Sequence, residues 1–148
     1  MPNAIAMLKA DHTKVKQLLR RLNETGGIKE REHLCGEIER EIKMHSQLEE
    51  EIFYPAFRDA VRTKDDKKMY FEAKEEHHVV KLVLPEVKEG GMAVEEFAAK
   101  CKVLKELVEH HADEEEKDMF PEARKALSRA ELLELGDQLA ARKKELGA

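Results

Sequence analysis

Two histidine–glutamate pairs with the same spacing are the residues of this sequence that point most directly to chemistry. His45 is followed four residues later by Glu49, and His111 is followed four residues later by Glu115. Residues four apart lie on one face of a helix, so each pair directs an imidazole and a carboxylate towards one point. Imidazole and carboxylate without thiolate suit iron or manganese, and bridging carboxylates favour a dinuclear centre. The zinc-hydrolase pattern HExxH is absent, so the spacing predicts a site for iron or manganese.

The stretch around each pair belongs to an internal repeat. Residues 45–55 read HSQLEEEIFYP and residues 111–121 read HADEEEKDMFP, so the histidine, two glutamates and the proline coincide. A further histidine precedes each pair, since His12 lies 33 residues before His45 and His77 lies 34 residues before His111. Two helical hairpins would each contribute one histidine and one HxxxE pair to a two-metal site. The predicted ligands are His12, His45, Glu49, His77, His111 and Glu115.

All six predicted ligands fall on the apolar stripes of their helices. A buried polar group without a partner costs about 1–3 kcal/mol, so six such side chains need a common partner. A single inward histidine is more often a hydrogen-bonded core residue. The repeated set on four helices instead favours a metal centre.

The elements that must position these residues are predicted to be four long helices and a shorter fifth. Ala, Glu, Lys, Leu and Arg dominate the composition and favour helix, and nothing reads as a strand. The first helix is predicted to begin at an Asn3 cap and to end at the glycines of 26–27. Pro55 interrupts the second helix and is expected to kink it. A capping box of Ser128 and Glu131 opens the fifth helix.

The third and fourth helices are predicted around two further breaks. Asp65 or Asp66 is the expected N-cap of the third helix, and Pro85 is expected to bend or end it. The glycines at 90–91 separate the third helix from the fourth. The apolar pattern of the fifth helix fits a cover over the bundle or a dimer contact, so a monomer and a homodimer both remain open.

Length and composition limit the class of protein. The 148 residues suit a single domain, with a four-helix bundle over about 3–127 and an extra helix over about 128–146. The net charge of −5 comes from interspersed charges of both signs, so nucleic acid is not an expected partner. Without a secretory pattern or a membrane-length apolar run, we expect a cytoplasmic protein with no membrane contact. Cys35 and Cys101 are expected to be free thiols, although one bridge between them stays open.

The combined motif set resembles a hemerythrin-like (HHE cation-binding) domain. The resemblance covers residues 8–121 and rests on His12, HxxxE at 45–49, EH at 76–77 and HHxxEEE at 110–116. The run HADEEEKDMFP, followed by ELLELGDQLAARK, is most similar to the mycobacterial-type hemerythrin-like proteins. This resemblance implies an all-α, up-and-down four-helix bundle around two iron ions bridged by oxo or carboxylate groups, with manganese less favoured. It also implies dioxygen, peroxide or nitric oxide as the small-molecule partner.

The chain also departs from the family pattern. Oxygen-carrying hemerythrins have HxxxH on the third helix, but the residue four before His77 is Ala73. They have HxxxxD on the fourth helix, where this chain offers Glu115 or Glu116, and we prefer Glu115 because it repeats the HxxxE spacing. The missing histidine leaves a coordination position for solvent, substrate or another side chain. Tyr54 is a candidate ligand there, and it reaches the metals only if the following proline distorts the helix.

By this resemblance the protein reacts with small oxidants. We predict a catalase-like decomposition of peroxide or another part in oxidative-stress defence. The alternatives are reversible binding or sensing of dioxygen or nitric oxide, and iron sensing or storage. The missing histidine on the third helix favours reactivity over reversible carriage.

Several further polar residues lie next to the predicted ligands or elsewhere on their helices. Four carboxylates could orient ligands, with solvated surface at least as common a role: Asp11, Glu50, Glu76 and Glu116. Three histidines are expected at supporting or surface positions: His33, His78 and His110.

Overall fold

The computed structural model describes residues 2–88 and 94–147, and every regular element in these residues is helical. The predicted break at the glycines of 90–91 lies outside the described residues. The elements in this part of the chain are α1 (Ala4–Glu24), α2 (Ile28–Leu48), a first π turn (Glu49–Phe53), α3 (Tyr54–Ala60), α4 (Lys64–Lys88), α5 (Val94–Glu114), a second π turn (Glu115–Met119), α6 (Phe120–Ala126) and α7 (Arg129–Glu145).

Four long helical segments make up the bundle. The first π turn joins α2 to α3 without a break, and the second π turn joins α5 to α6 in the same way. Together with α1 and α4 these form the predicted four-helix bundle, and α7 is the predicted extra helix. The all-α fold class is therefore confirmed. None of the described helices is long and apolar enough to cross a membrane.

Each π turn ends two residues before a proline. Pro55 and Pro121 occur in the first turns of α3 and α6. Proline lacks the N–H for a helical hydrogen bond, and its ring collides with the carbonyl four residues earlier. In the first π turn the N–H of Tyr54 donates to the carbonyl of Glu49, five residues earlier, so the wider turn shifts the hydrogen-bond pattern ahead of the proline. The distortion predicted at Pro55 is present, and it recurs at Pro121.

Side-chain caps begin α1 and α7 as predicted. Asn3 Oδ1 accepts the N–H of Ala6 at 2.9 Å, which satisfies one of the free donors at the start of α1. Ser128 and Glu131 form both hydrogen bonds of the capping box at the start of α7. Local sequence therefore determines where these two helices start.

The start of α4 differs from the prediction. The hydroxyl of Thr63 accepts the N–H of Asp66 at 3.1 Å, so Thr63 caps the helix and the predicted cap at Asp65 or Asp66 is wrong. The two aspartates lie in the first turn instead, where negative charge is favourable. Pro85 does not end the helix, which continues to Lys88.

The fifth helix, α7, covers part of the bundle next to α1. Leu132, Leu135 and Leu139 pack into the same apolar cluster as the start of α1. The two backbones approach closely at Gly136, where an added Cβ would lie 2.5 Å from the carbonyl oxygen of Pro2. The apolar pattern of this helix fitted a cover over the bundle or a dimer contact, and in the structure α7 covers the bundle.

Two apolar clusters fill the bundle on either side of a polar layer. Along α1, Leu8 belongs to one cluster and Val15 to the other, with His12 between them. Along α4, Ala73 and Val80 belong to these same two clusters and flank the equivalent histidine. The predicted ligands therefore form a layer in the middle of the bundle.

Candidate metal centre

The structure brings all six predicted ligands together in this polar layer. The first ligand group is His12, His45, Glu49 and Glu115, and the second ligand group is Glu49, His77 and His111. Each residue offers one ligand atom, and within a group these atoms lie within 4.8 Å of one another. Each group could hold a metal ion. Glu49 belongs to both groups, so one carboxylate connects them.

All four histidines turn Nε2 towards two buried carboxylates. Glu49 and Glu115 are 0% and 2% exposed and lie between the histidine rings. The histidines come from α1, α2, α4 and α5, one from each helix. The distances are 2.9 Å from His12 Nε2 to Glu115 Oε1, 3.1 Å from His45 Nε2 to Glu49 Oε1, 3.0 Å from His77 Nε2 to Glu49 Oε1, and 3.5 Å from His111 Nε2 to Glu115 Oε1.

Each histidine keeps its other ring nitrogen, Nδ1, beside a carboxylate. Such a carboxylate fixes the tautomer and the orientation of the ring and makes Nε2 a stronger metal ligand. The distances are 2.8 Å from His12 Nδ1 to Glu116, 3.0 Å from His45 Nδ1 to Asp11, 3.4 Å from His77 Nδ1 to Glu50, and 2.7 Å from His111 Nδ1 to Glu76. The His77 contact is the longest of the four and lacks hydrogen-bond geometry.

For these four carboxylates a solvated surface position was at least as strongly expected as a role beside a ligand. In the structure all four lie beside a ligand histidine. Asp11 and Glu76 occupy equivalent positions in the two halves, one residue before a ligand histidine. Glu50 and Glu116 are likewise equivalent, one residue after a predicted glutamate ligand. The internal repeat that identified the ligands therefore contained this signal too. Asp11 departs furthest from the expectation, since it is only 7% exposed.

Tyr54 lies among the predicted ligands. Its hydroxyl oxygen is 2.7 Å from Glu115 Oε2, 3.2 Å from Glu49 Oε1, 3.1 Å from His77 Nε2 and 3.2 Å from His111 Nε2. The π turn holds more residues than an α-helical turn, and this rotates Tyr54 away from the far side of the helix. The equivalent residue in the other half is Phe120, whose ring stacks on His12 with 5.9 Å between centroids.

Burial and mutual contact shift the pKa values of the central groups. Burial and the neighbouring Glu49 raise the pKa of Glu115. Burial also acts to raise the pKa of Glu49, but the charge of His45 holds it well below its usual value. Burial acts to lower the pKa of His45, yet Glu49 and Asp11 raise it to about 10. Burial, followed by Glu115 and Glu49, raises the pKa of Tyr54 well above its usual value. Glu49 is thus the more readily ionised of the two carboxylates, which suits a ligand shared by two cations.

Two buried ligand atoms of the first group, Glu49 Oε2 and His45 Nε2, make no hydrogen bond within the described residues. The 3.1 Å contact between His45 Nε2 and Glu49 Oε1 is not aligned as one. Such an atom costs about 1–3 kcal/mol, and a coordinated cation would satisfy both. The nitrogen and oxygen donors also match iron or manganese. These residues therefore fit a metal centre.

Two cavities adjoin the ligands. The first has a volume of about 40 Å³ and is lined by Asp11, His12, Val15, Ile42, His45, Ser46, His77, Val80, Val108, His111 and Ala112. A water molecule needs about 10–15 Å³ of cavity volume, so the first cavity has room for a molecule of two heavy atoms. The second has a volume of about 110 Å³ and is lined by Asp65, Met69, Glu72, Ala73, Glu76, Glu114, Glu115, Asp118 and Met119. The second cavity is therefore acidic and reaches the position where Ala73 replaces the family histidine.

The remaining histidines and the cysteines lie outside the two ligand groups. His33 and His110 have side chains 67% and 65% exposed, and His78 is exposed as well. These surface positions agree with the prediction. Cys35 and Cys101 are buried thiols that form no disulfide within the described residues, as expected.

The fold and this layer agree with a known family. The family model described as "Hemerythrin HHE cation binding domain" matches residues 3–123. The chain belongs to the hemerythrin HHE cation-binding family. Among particular relatives, it is similar to protein Rv2633c of Mycobacterium tuberculosis, with 32% identity over 146 residues that cover 97% of this chain and 87% of that protein.

A solved structure extends this likeness to three dimensions. The crystal structure of a hemerythrin HHE cation-binding domain-containing protein from Mycobacterium kansasii, a homologue of Rv2633c, has a TM-score of 0.84. The identity is 32%, and the match covers 99% of this chain and 88% of that one. A DNA nickase of Nostoc shares 27% identity over 122 residues, but these make up only 34% of that protein. The resemblance to the mycobacterial-type hemerythrin-like proteins is therefore confirmed.

Proposed function

We propose that this protein holds two iron ions in the two ligand groups and decomposes hydrogen peroxide. One observation carries the proposal: two groups of nitrogen and oxygen donors meet at Glu49, and the Tyr54 hydroxyl lies within 3.2 Å of ligand atoms from both groups. In this proposal His12, His45 and Glu115 would hold one iron, His77 and His111 would hold the other, and Glu49 belongs to both groups. Tyr54 is a candidate further ligand.

The second cavity supports reactivity over reversible carriage. Ala73 stands where the family's oxygen carriers have a histidine, and its small side chain lines the 110 Å³ cavity. Glu115 lines the same cavity, so a small polar molecule that enters it arrives beside a proposed ligand. Hydrogen peroxide is a polar molecule that is small enough to enter this cavity.

The chain's own residues would orient the reaction and move protons. Two bound irons would supply the two-electron redox step by which two molecules of hydrogen peroxide become two of water and one of dioxygen. The hydroxyl of Tyr54 donates to Glu115 Oε2 at 2.7 Å, so a proton donor and an acceptor lie side by side at the centre. Glu115 accepts this hydrogen bond through Oε2, while its Oε1 lies 2.9 Å from His12 Nε2. Glu49 stays charged and holds the two groups together.

Reversible binding of dioxygen or nitric oxide is a second candidate function. The first cavity favours it, because the four histidine rings and several aliphatic side chains enclose about 40 Å³. A nonpolar diatomic molecule would meet mainly carbon atoms there. This candidate needs the same metal centre but no turnover of peroxide.

Dioxygen evolution tests the proposal. Iron-loaded protein is mixed with hydrogen peroxide, and the release of dioxygen is followed with an oxygen electrode beside an equal concentration of free iron. The protein is expected to evolve dioxygen faster than free iron. His77→Ala is expected to abolish this excess, while His78→Ala, a change at the exposed neighbouring position, is expected to retain it.

Two results would overturn the assignment. Evolution no faster than with free iron, together with a stable adduct in air, would replace the enzyme with a dioxygen-binding protein. An equal loss of activity in the His77 and His78 variants would remove the ligand assignment, because only the first side chain lies in a ligand group.

A further inference from the structure

Lys143 of α7 contacts the first ligand group through one intermediate residue. Lys143 Nζ donates to Asp11 Oδ1 at 2.9 Å, and Asp11 Oδ2 lies 3.0 Å from His45 Nδ1. Both oxygens of this carboxylate are therefore engaged, one by the fifth helix and one by a proposed ligand. Asp11 therefore links Lys143 to the ring of His45.

The contact between Lys143 and Asp11 is more buried than a similar contact in the other half of the chain. The side chains of Asp11 and Lys143 are 9% and 31% exposed. Lys81 and Glu50, which lie beside His77, make a 2.9 Å contact but are 53% and 30% exposed. Exposed ion pairs contribute little to stability because water and salt screen them, whereas a buried carboxylate is screened less. The Lys143 contact is therefore the stronger constraint on a ligand.

The docking of α7 fixes where Lys143 lies. Gly136, seven residues earlier, permits backbone contact with the start of α1, since a Cβ there would lie 2.5 Å from Pro2 O. Arg142 Nε, one residue before Lys143, contacts Glu51 Oε2 of the first π turn at 2.8 Å. These two attachments hold the end of α7 against the helices that carry Asp11 and His45.

We propose that Lys143 is a positioning residue for the first ligand group, so that α7 completes one of the two metal sites. It holds Asp11 in the orientation that aligns His45, and the histidines of the second group take their Nδ1 partners elsewhere. This inference rests on the proposed metal centre. Loss of a direct hydrogen-bond partner of a metal-bound histidine typically weakens metal binding about 10–100-fold. Lys143 acts one contact further out, and we expect weakening of about 3–10-fold at one site.

Cobalt titration of the full chain tests this inference without measuring turnover. The chain is freed of metal, and Co²⁺ binding is followed by visible absorption in the original protein and in Lys143→Met. We expect two binding steps in the original protein and a weakening of about 3–10-fold in one step only for the variant. Lys143→Arg keeps a cationic donor and is expected to restore that step.

Two matched variants control for the loss of a lysine. Lys144→Met removes the next, exposed lysine of α7 and is expected to bind cobalt like the original protein. Lys81→Met removes the exposed counterpart beside the second group and is expected to have a smaller effect than Lys143→Met.

Each other outcome overturns the inference in a recognisable way. If Lys143→Met shows both steps unchanged, Lys143 has no positioning role although the metal centre stands. If both steps weaken equally and the melting temperature falls, α7 acts by general stabilisation and not through His45. If the original protein binds no cobalt, the proposed metal centre fails together with this inference.

Discussion

For single residues, the decisive feature is which ring nitrogen each histidine turns to the centre. Nε2 faces Glu49 or Glu115 in all four rings, and Nδ1 lies beside a second carboxylate. The spacing of His45 and Glu49 was enough to predict the inward pairs. The outer carboxylates were harder to predict, because Asp11 contacts a ligand 34 residues away and such a contact depends on how two helices pack.

Replacement of Tyr54 by phenylalanine tests the position at which the two halves of the site differ. Phe120 occupies the equivalent place in the other half, so the ring itself is compatible with the fold. We expect Tyr54→Phe to keep its melting temperature and its iron but to slow dioxygen evolution from peroxide by on the order of 100-fold, because it loses a proton donor. Activity and the visible spectrum are the measurements.

Tyr70→Phe is the matched control for this change. Tyr70 is buried and packs edge-on against Tyr54 at 6.2 Å, outside both ligand groups. It is expected to leave activity unchanged. Unaltered activity in Tyr54→Phe would show that the phenol has no part in the reaction.

Among the elements, the π turns bring Tyr54 and Phe120 to the site, and α7 covers part of the bundle. The helices themselves were predictable from caps and apolar periodicity, as Asn3 and the Ser128–Glu131 box show. Pro55 was enough to predict a distortion of the helix. That the distortion is a π turn could not be predicted, because it depends on competition between backbone hydrogen bonds along the whole segment. The covering role of α7 depended on a backbone approach at Gly136, which apolar periodicity does not encode.

Two glycine-to-alanine changes in helices have opposite expected effects. Gly136→Ala would place a Cβ 2.5 Å from the Pro2 carbonyl oxygen, and we expect it to lower the free energy of unfolding by about 1–3 kcal/mol. Gly36→Ala in α2 meets no atom within 4 Å. That change should raise the free energy of unfolding by about 0.5–1 kcal/mol because alanine favours helix.

Denaturant unfolding of both variants provides the comparison. Equal stability of Gly136→Ala and the original protein would mean that α7 is not held closely against α1. The Gly36 variant also controls for any general effect of alanine on helix formation.

At the scale of the whole molecule, two similar hairpins enclose one centre, and metal binding should stabilise the bundle. The polar layer separates two apolar clusters, so the metal would connect four helices at mid-height. At a free metal concentration 100 times the dissociation constant, each bound ion adds about 2.7 kcal/mol to the free energy of unfolding. For a chain of this length that corresponds to a rise in melting temperature of on the order of 5–10 °C for each ion.

Thermal unfolding of iron-loaded and chelator-treated protein measures this effect. The loaded protein is expected to melt at the higher temperature. Identical melting temperatures, in protein purified without iron or manganese, would instead indicate a helical interaction protein that needs no metal.

The central claim is that two metal ions share Glu49, and the iron content per chain tests it most directly. Elemental analysis of the iron-loaded protein is expected to give about two irons per chain. Glu49→Gln removes the charge of the shared ligand and is expected to lose most of this iron, whereas Glu106→Gln, a change at an exposed glutamate of α5, is expected to retain it. One iron or none in the original protein, or two irons in Glu49→Gln, would contradict the claim.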